Sequence, residues 1–429
     1  MFRFTSRAFC SVVVFVLFLL LIRSASSEAA PTSEDRTWGD GEIQLNRVLR
    51  DRPQLVSVVK KGSPIWLWLV QNFQDTKVGF KIQWDSEPPQ DGYDNHADSS
   101  AYPDENNISY IRLGTPNKGS FTTGKVNSTE QLLGELVFEL CNVRLGQTKR
   151  TIEDRLEHGD ISRREYILEC ASMEYLADTE TAGFYNSIWV PYCKTLGWVY
   201  DPSLWHVSEA SNFREWMKQY PPNSWYPWQY YGNRYDGIIY QRAGDSNLCK
   251  GDVKGAITNY TTALNLGSQC YYSRGIAELA GHEWENALSD IHRAENSTRN
   301  SSEMKNRYHA LYWLLEMLKG EKESEADTRL KQYLADSSSL NSSDWMASIA
   351  LYLISDLNQN ELLERASLVG SKQNLQRLCD AYYYIGMRHL LTGDTASSTY
   401  CFQKVISTGR NDQIEYLLAW EELARAQGR

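Results

Sequence analysis

Apolar positions recur every three or four residues through most of the chain beyond Tyr235, the period of a helix with one buried face. The spacing predicts helices at Tyr235–Cys249, Lys254–Leu266, Cys270–Ala280, Trp284–Ala294, Met304–Leu318, Ser324–Leu334, Trp345–Leu353, Glu361–Leu368, Leu375–Leu391, Thr395–Thr408 and Gln413–Ala426. Turns of a few residues join most of them, and several carry Gly. That order reads as stacked helix pairs. Ahead of Tyr235 the pattern is mixed. Glu42–Lys61 has loose helical spacing broken by Pro53, and Ser63-Pro64 caps a short apolar helix through Phe73. Val78–Trp84 and Ile108–Leu113 read as strands. Between them, Glu87–Asn107 is a polar, Pro- and Asp-rich loop. Ser128–Gln131 has capping-box form and opens a helix from Leu132 to Leu145, and a further helix runs from Ser162 to Phe184. The expected class is mainly α: a small α+β domain at 42–234, then a helical repeat domain, an α-solenoid, at 235–429.

The first residues have another purpose. Arg3 and Arg7 precede an apolar run from Ala8 to Ile22, followed by Arg23 and small residues. Residues 1–27 read as a secretory signal, or as an N-terminal anchor where it is not cleaved, with a polar tether at 28–41. The expected location is secreted, periplasmic or cell-envelope. Removing that segment takes away three Arg and leaves 41 basic against 54 acidic residues, a net charge of −13. Such a chain has no electrostatic footprint for nucleic acid, and an anionic lipid surface repels it. Seven Cys remain, an odd number, and most read as small core residues. Cys141 with Cys170 is the pairing that the spacing leaves open.

Short similar blocks recur in the C-terminal part. Gly251-Asp252 precedes Ala256 and Ala263; Gly281 precedes Ala287 and Ala294; Gly393-Asp394 precedes Tyr400 and Phe402. Small residues let two helices cross closely, and large ones three or four positions on fill the gap between pairs. These blocks resemble the tetratricopeptide repeat. The layout is similar to envelope proteins of that family that act as adaptors. The resemblance implies packing roles for Gly251, Ala256, Ala263, Gly281, Ala287, Gly393 and Tyr400, and partner proteins bound in a repeat groove. Membrane contact is expected only through an uncleaved N-terminal segment.

Chemistry-bearing motifs are weaker. Phe138-Glu139-Leu140-Cys141-Asn142 resembles the His-Glu-x-x-His helix of zincin-like peptidases, with both His ligands replaced and only Glu139 matching. The resemblance implies a pseudo-peptidase domain with no metal and no cofactor; the residues by themselves read first as an amphipathic helix with Glu139 a hydrogen-bonded or exposed carboxylate, and a divergent peptidase using Glu139 is the alternative. Carboxylates four apart recur at Glu135/Glu139, Glu165/Glu169 and Glu174/Asp178, without the His that a di-metal site needs. Arg144, Arg163 and Arg164 are expected to neutralise them. Gly114–Ser120 has its Lys on the wrong side of the second Gly for a phosphate loop. The aromatic stretch from Trp189 to Tyr231 offers a glycan-stacking platform as a third possibility for function. The sequons at Asn107, Asn127, Asn259, Asn296, Asn300 and Asn341 matter only in a eukaryotic secretory route.

Overall fold

The computed structural model describes residues 40–74, 81–86, 98–99, 108–113, 128–297, 302–336, 344–368 and 371–428. The signal segment, most of the tether, the 87–107 loop apart from 98–99, the 114–120 loop and the sequons at Asn107, Asn127, Asn300 and Asn341 lie outside them. The described chain is mainly helical, and it divides into two compact units at Tyr235/Asp236.

In the first unit, α1 (Gly41–Asp51) and α2 (Pro64–Gln74) pack together. Asp40 caps α1, and Ser63 accepts from Trp66 N in the first turn of α2. The strands β1 (Lys81–Trp84), β2 (Asp98–Ser99) and β3 (Ile108–Arg112) form a mixed sheet in the order β1-β3-β2. β1 runs parallel to β3, with Lys81 opposite Ile108, and β2 is antiparallel to it. Next come α3 (Thr129–Arg144), α4 (Gly146–His158) and α5 (Arg163–Phe184). Ser128 caps α3, and Ser162 with Glu165 forms a complete capping box on α5. A π-turn at Tyr185–Trp189 carries α5 into α6 (Val190–Leu196), and α7 (Phe213–Met217) lies in the aromatic stretch. Leu45, Leu69, Phe73, Ile82, Leu136 and Trp189 belong to one buried cluster. The sequence pattern had no element for α4. Its start has no capping side chain and its apolar face is narrow, with Ile152 and Leu156 buried. No disulfide joins the described cysteines, so the Cys141–Cys170 pairing is set aside: both thiols are buried and separate.

The second unit contains the rest of α8 (Tyr230–Cys249), then α9 (Val253–Asn265), α10 (Tyr271–Ala280), α11 (Trp284–Ser297), α12 (Ser302–Leu318) and α13 (Glu323–Asp336). It continues with α14 (Trp345–Leu353), α15 (Gln359–Ser367), α16 (Ser371–Leu391), α17 (Thr395–Ser407) and α18 (Ile414–Ala426). Five helix-pair turns share one backbone device, which also closes the α9–α10 turn at Gly267 and the helix ends at Gly159 and Gly197 in the first unit. A residue with positive φ follows α8, α10, α12, α14 and α16: Gly251, His282, Gly320, Ser355 and Gly393. Each time, its N–H bonds the carbonyl three residues back, and the next N–H bonds the carbonyl five residues before itself. The pairs are Gly251→Leu248 and Asp252→Asn247, His282→Leu279 and Glu283→Glu278, and Gly320→Met317 and Glu321→Glu316. Ser355→Tyr352 with Asp356→Leu351 and Gly393→Leu390 with Asp394→His389 complete the set. This is the Schellman closure, which satisfies carbonyls that a helix end would otherwise orphan. Where Asp follows the Gly, at Asp252 and Asp394, its carboxylate then caps the next helix.

The turns and the crossings use Gly for different reasons. Gly393 has φ near +80° with open space around it, whereas a Cβ on Gly386 would come 2.7 Å from the Phe402 ring. Gly393→Ala is expected to cost about 1–2 kcal/mol through left-handed backbone strain, and Gly386→Ala about 1–3 kcal/mol through overpacking. Urea denaturation of the single variants, and of each combined with Phe402→Leu, checks this. Adding Phe402→Leu relieves part of the Gly386→Ala cost and leaves the Gly393→Ala cost unchanged.

Candidate functional site

α3 is the most heavily used element of the first unit, and its first turn shows why. Glu130 Oε1 accepts from Trp189 Nε1 at 2.7 Å, Trp205 Nε1 at 2.9 Å and the Asp201 N–H at 3.1 Å. One carboxylate thus pins the aromatic segment onto the helix, at the end where the helix dipole favours negative charge. One turn on, Glu135 is 8% exposed and accepts from Gln131 Nε2 at 3.2 Å. Burial pushes its carboxyl up to about 8, Glu139 adds to the rise, and the Gln131 hydrogen bond opposes it. Glu139, the position matching the peptidase motif, is also 8% exposed. Phe138 stacks on His206 with ring centroids 4.0 Å apart. Among the described residues no three His, Cys, Asp or Glu stand close enough to hold a metal ion. The arrangement is a pair of buried carboxyls on one helix, of which Glu135 can hold a proton near neutral pH.

A second acid group lies on α5. Tyr231 Oη donates to Glu174 Oε1 at 2.5 Å, and Trp216 Nε1 donates to Asp178 Oδ2 at 2.8 Å. Burial raises both carboxyls, Asp178 to about 6. On α4, burial and the nearby Arg234 lower Lys149, and Arg234 pairs with Glu153 at 2.7 Å. Glu165 belongs to the capping box, and Glu169 is held by Arg155 at 2.7 Å. Arg144, expected to neutralise the acid pairs, bonds Glu180 at 2.8 Å and Asn72 at 3.0 Å. Beside Glu169, Gln147, Thr151 and Ser172 line a shallow groove of about 390 Å³ between α4 and α5.

The same chemistry recurs at three more buried indoles. Trp84 donates to Asp51, Trp313 to Asp327 and Trp345 to Asp380, at 3.0, 2.8 and 2.8 Å. A buried indole N–H needs an acceptor, and here carboxylates supply it. Much of the Trp189–Tyr231 stretch is therefore committed to the interior, with Trp189, Trp205 and Trp216 buried. Trp198, 37% exposed, Trp225, 61% exposed, and Tyr230, 46% exposed, are its open aromatic members.

In the second unit, Ala256, Ala263 and Ala287 are fully buried. Gly251 leaves room for the Trp420 ring, which a Cβ would approach to 2.7 Å. Gly281 has an ordinary helical conformation, and the left-handed residue is His282. Tyr400 corrects the sequence expectation: it is 56% exposed, with Lys404 over its ring, while its neighbours Cys401 and Phe402 are buried. The helical period permits either register there, and packing against Gly386 selects Phe402.

The group that sequence reasoning missed is ionic and internal. Arg307 on α12, 11% exposed at its side chain, pairs with Glu415 on α18 and lies 3.9 Å from Asp380 on α16. Asp380 Oδ2 accepts from Trp345 on α14. Burial drives the Asp380 carboxyl well above the usual range and Glu415 adds to it, against Arg307. Asp380 Oδ1, Glu415 Oε2 and Tyr384 Oη find no hydrogen-bond partner among the described residues. Four helices distant in sequence thus meet around one guanidinium. The faint signal was an Arg and an Asp inside otherwise apolar helical faces.

No family model matches this chain, and no curated protein is detectably similar to it.

Glu135 gives a pH test. Its folded value lies above its unfolded one, so folding takes up a proton between about pH 4.5 and 8, and stability falls as pH rises through that window. Glu135→Gln mimics the protonated form. It is expected to raise stability at pH 8 by on the order of 2 kcal/mol and to change little at pH 4.5, as read by thermal unfolding at both values.

Proposed function

We propose that this chain is an exported scaffold, either released or held at the cell envelope by its N-terminal segment. Its second unit acts as a tetratricopeptide-like array that binds other proteins. The observation that supports this best is the regular spacing of the helix-pair turns, since the same closure also occurs at Gly159, Gly197 and Gly267. Five hairpins close through the same left-handed residue and the same pair of hydrogen bonds, at 251, 282, 320, 355 and 393. The intervals of 31, 38, 35 and 38 residues bracket the family's ~34-residue unit. They extend through 304–368, where the sequence resemblance fades. Repeat arrays present long surfaces made of many helices, which suits recognition of proteins more than catalysis.

The first unit supports the scaffold reading by what its acids do. Glu130, Glu174 and Asp178 accept hydrogen bonds from buried aromatic side chains, which is a structural duty. Glu135 beside Glu139 keeps a second reading in play, a divergent hydrolase in which a protonated carboxyl serves as general acid. Capture from an exported protein fraction separates the two. The immobilised full chain is expected to retain a defined partner that a chain ended at Tyr235 does not. Peptide hydrolysis by the full chain that disappears in Glu135→Gln and Glu139→Gln, with no partner retained, supports the hydrolase instead.

A further inference from the structure

α18 sits differently from the other helices of the second unit. The seam between α16 and α17 is apolar, built on Ala381, Ile385, Phe402 and Val405, all buried. α18 packs on α10, α16 and α17 through Ile414, Leu417, Leu418, Ala419 and Leu423, and polar bonds hold it near both ends. Glu415 takes the guanidinium of Arg307, and Glu422 bonds His282 at 3.0 Å. Arg425 donates to the carbonyl of Ala280 at 2.9 Å and to Glu422 at 2.9 Å. Leu418 and Ala419 fill the space between these two acidic anchors. Glu415, Leu418, Ala419 and Glu422 are spaced three or four apart, so they share one helical face.

This seam is ionic and crowded. Asp380 and Glu415 are 0% and 3% exposed and interact directly through their carboxyl groups, with burial and Glu415 holding the Asp380 carboxyl well above the usual range. Two carboxyls compete for one guanidinium, and the desolvation of such a group offsets much of its attraction. Polar seams are typical of contacts that exchange, whereas permanent ones are more apolar.

We propose that the face formed by α10, α16 and α17, with Arg307 of α12 beside it, is a receptor for an acidic amphipathic helix of another protein, and that α18 occupies this seat in cis. The fitting partner carries Glu, then Leu-Ala three and four positions later, then a second Glu seven positions after the first. The first Glu reaches Arg307 and the second reaches His282. This inference rests on the scaffold reading and names its partner class.

The test uses the full chain and a fluorescent peptide spanning residues 411–429. Glu422→Gln weakens the outer anchor of α18 and leaves the buried face intact. The peptide, which keeps Glu422, is expected to bind this variant about tenfold more tightly than the parent. Adding Arg307→Gln is expected to remove that binding. Hydrogen exchange on the unaltered parent avoids any folding defect: amides of 414–426 are expected to exchange about tenfold faster than those of 381–391. Equal exchange rates, or no peptide binding to Glu422→Gln, overturn the proposal. So does a Glu422→Gln chain that dimerises through swapped helices and takes up no peptide. If partner capture by the full chain succeeds while peptide binding fails, the scaffold reading stands and only this assignment falls. Peptide binding without any captured partner leaves the receptor face and removes the wider reading.

Discussion

The second unit depends on a backbone constraint repeated five times: each helix before a hairpin turn must end on a residue that accepts left-handed geometry. Three turns meet it with Gly, at 251, 320 and 393, where no Cβ opposes it. The other two use His282 and Ser355, which carry strain there and recover part of it through side-chain bonds. His282 reaches Glu422, and the Ser355 hydroxyl accepts from Arg388 at 3.1 Å. The turn fixes where the chain reverses. Helix packing then follows from which small residues, such as Ala256, Ala287 and Gly386, lie at the crossings.

Polar groups inside the molecule follow a second rule. Indoles are buried with a carboxylate at the ring nitrogen, in both units, so the high Trp content serves cohesion more than display. The acids that look catalytic by spacing are largely those acceptors. Glu174 and Asp178 are four apart because Tyr231 and Trp216 meet successive turns of α5. Glu135 stands out because its raised carboxyl comes chiefly from burial and from Glu139.

Local signals were legible in the sequence, and distant ones were not. Ser63, Ser128 and Ser162 announced their helices because a cap depends on residues within one turn. The helices from Tyr235 onward were legible because their apolar period is strong, and most bounds fall within two or three residues of those expected. α4 was missed because Gly146 starts it without a cap and its surface is mostly charged. α8 begins five residues before its expected start, since Tyr230, Tyr231 and Gly232 give no helical period. Tyr400 was misplaced because neighbouring aromatics in one helix compete for the same gap, which only the Gly386 crossing decides. The Arg307 group left only a faint local signal, an Arg and an Asp inside apolar helical faces. Its partners lie up to 108 positions away, and no local window pairs them.

The contacts of α18 bear on how the unit responds to load. In a simple repeat array each hairpin touches only its neighbours, so force applied along the chain peels units away one after another. Here the bonds from Arg307 to Glu415, His282 to Glu422 and Arg425 to Ala280 tie early hairpins to a late helix. A pull applied across the unit loads those bonds as well as the contacts between neighbouring hairpins. The docked helix acts as a latch between early and late parts of the unit.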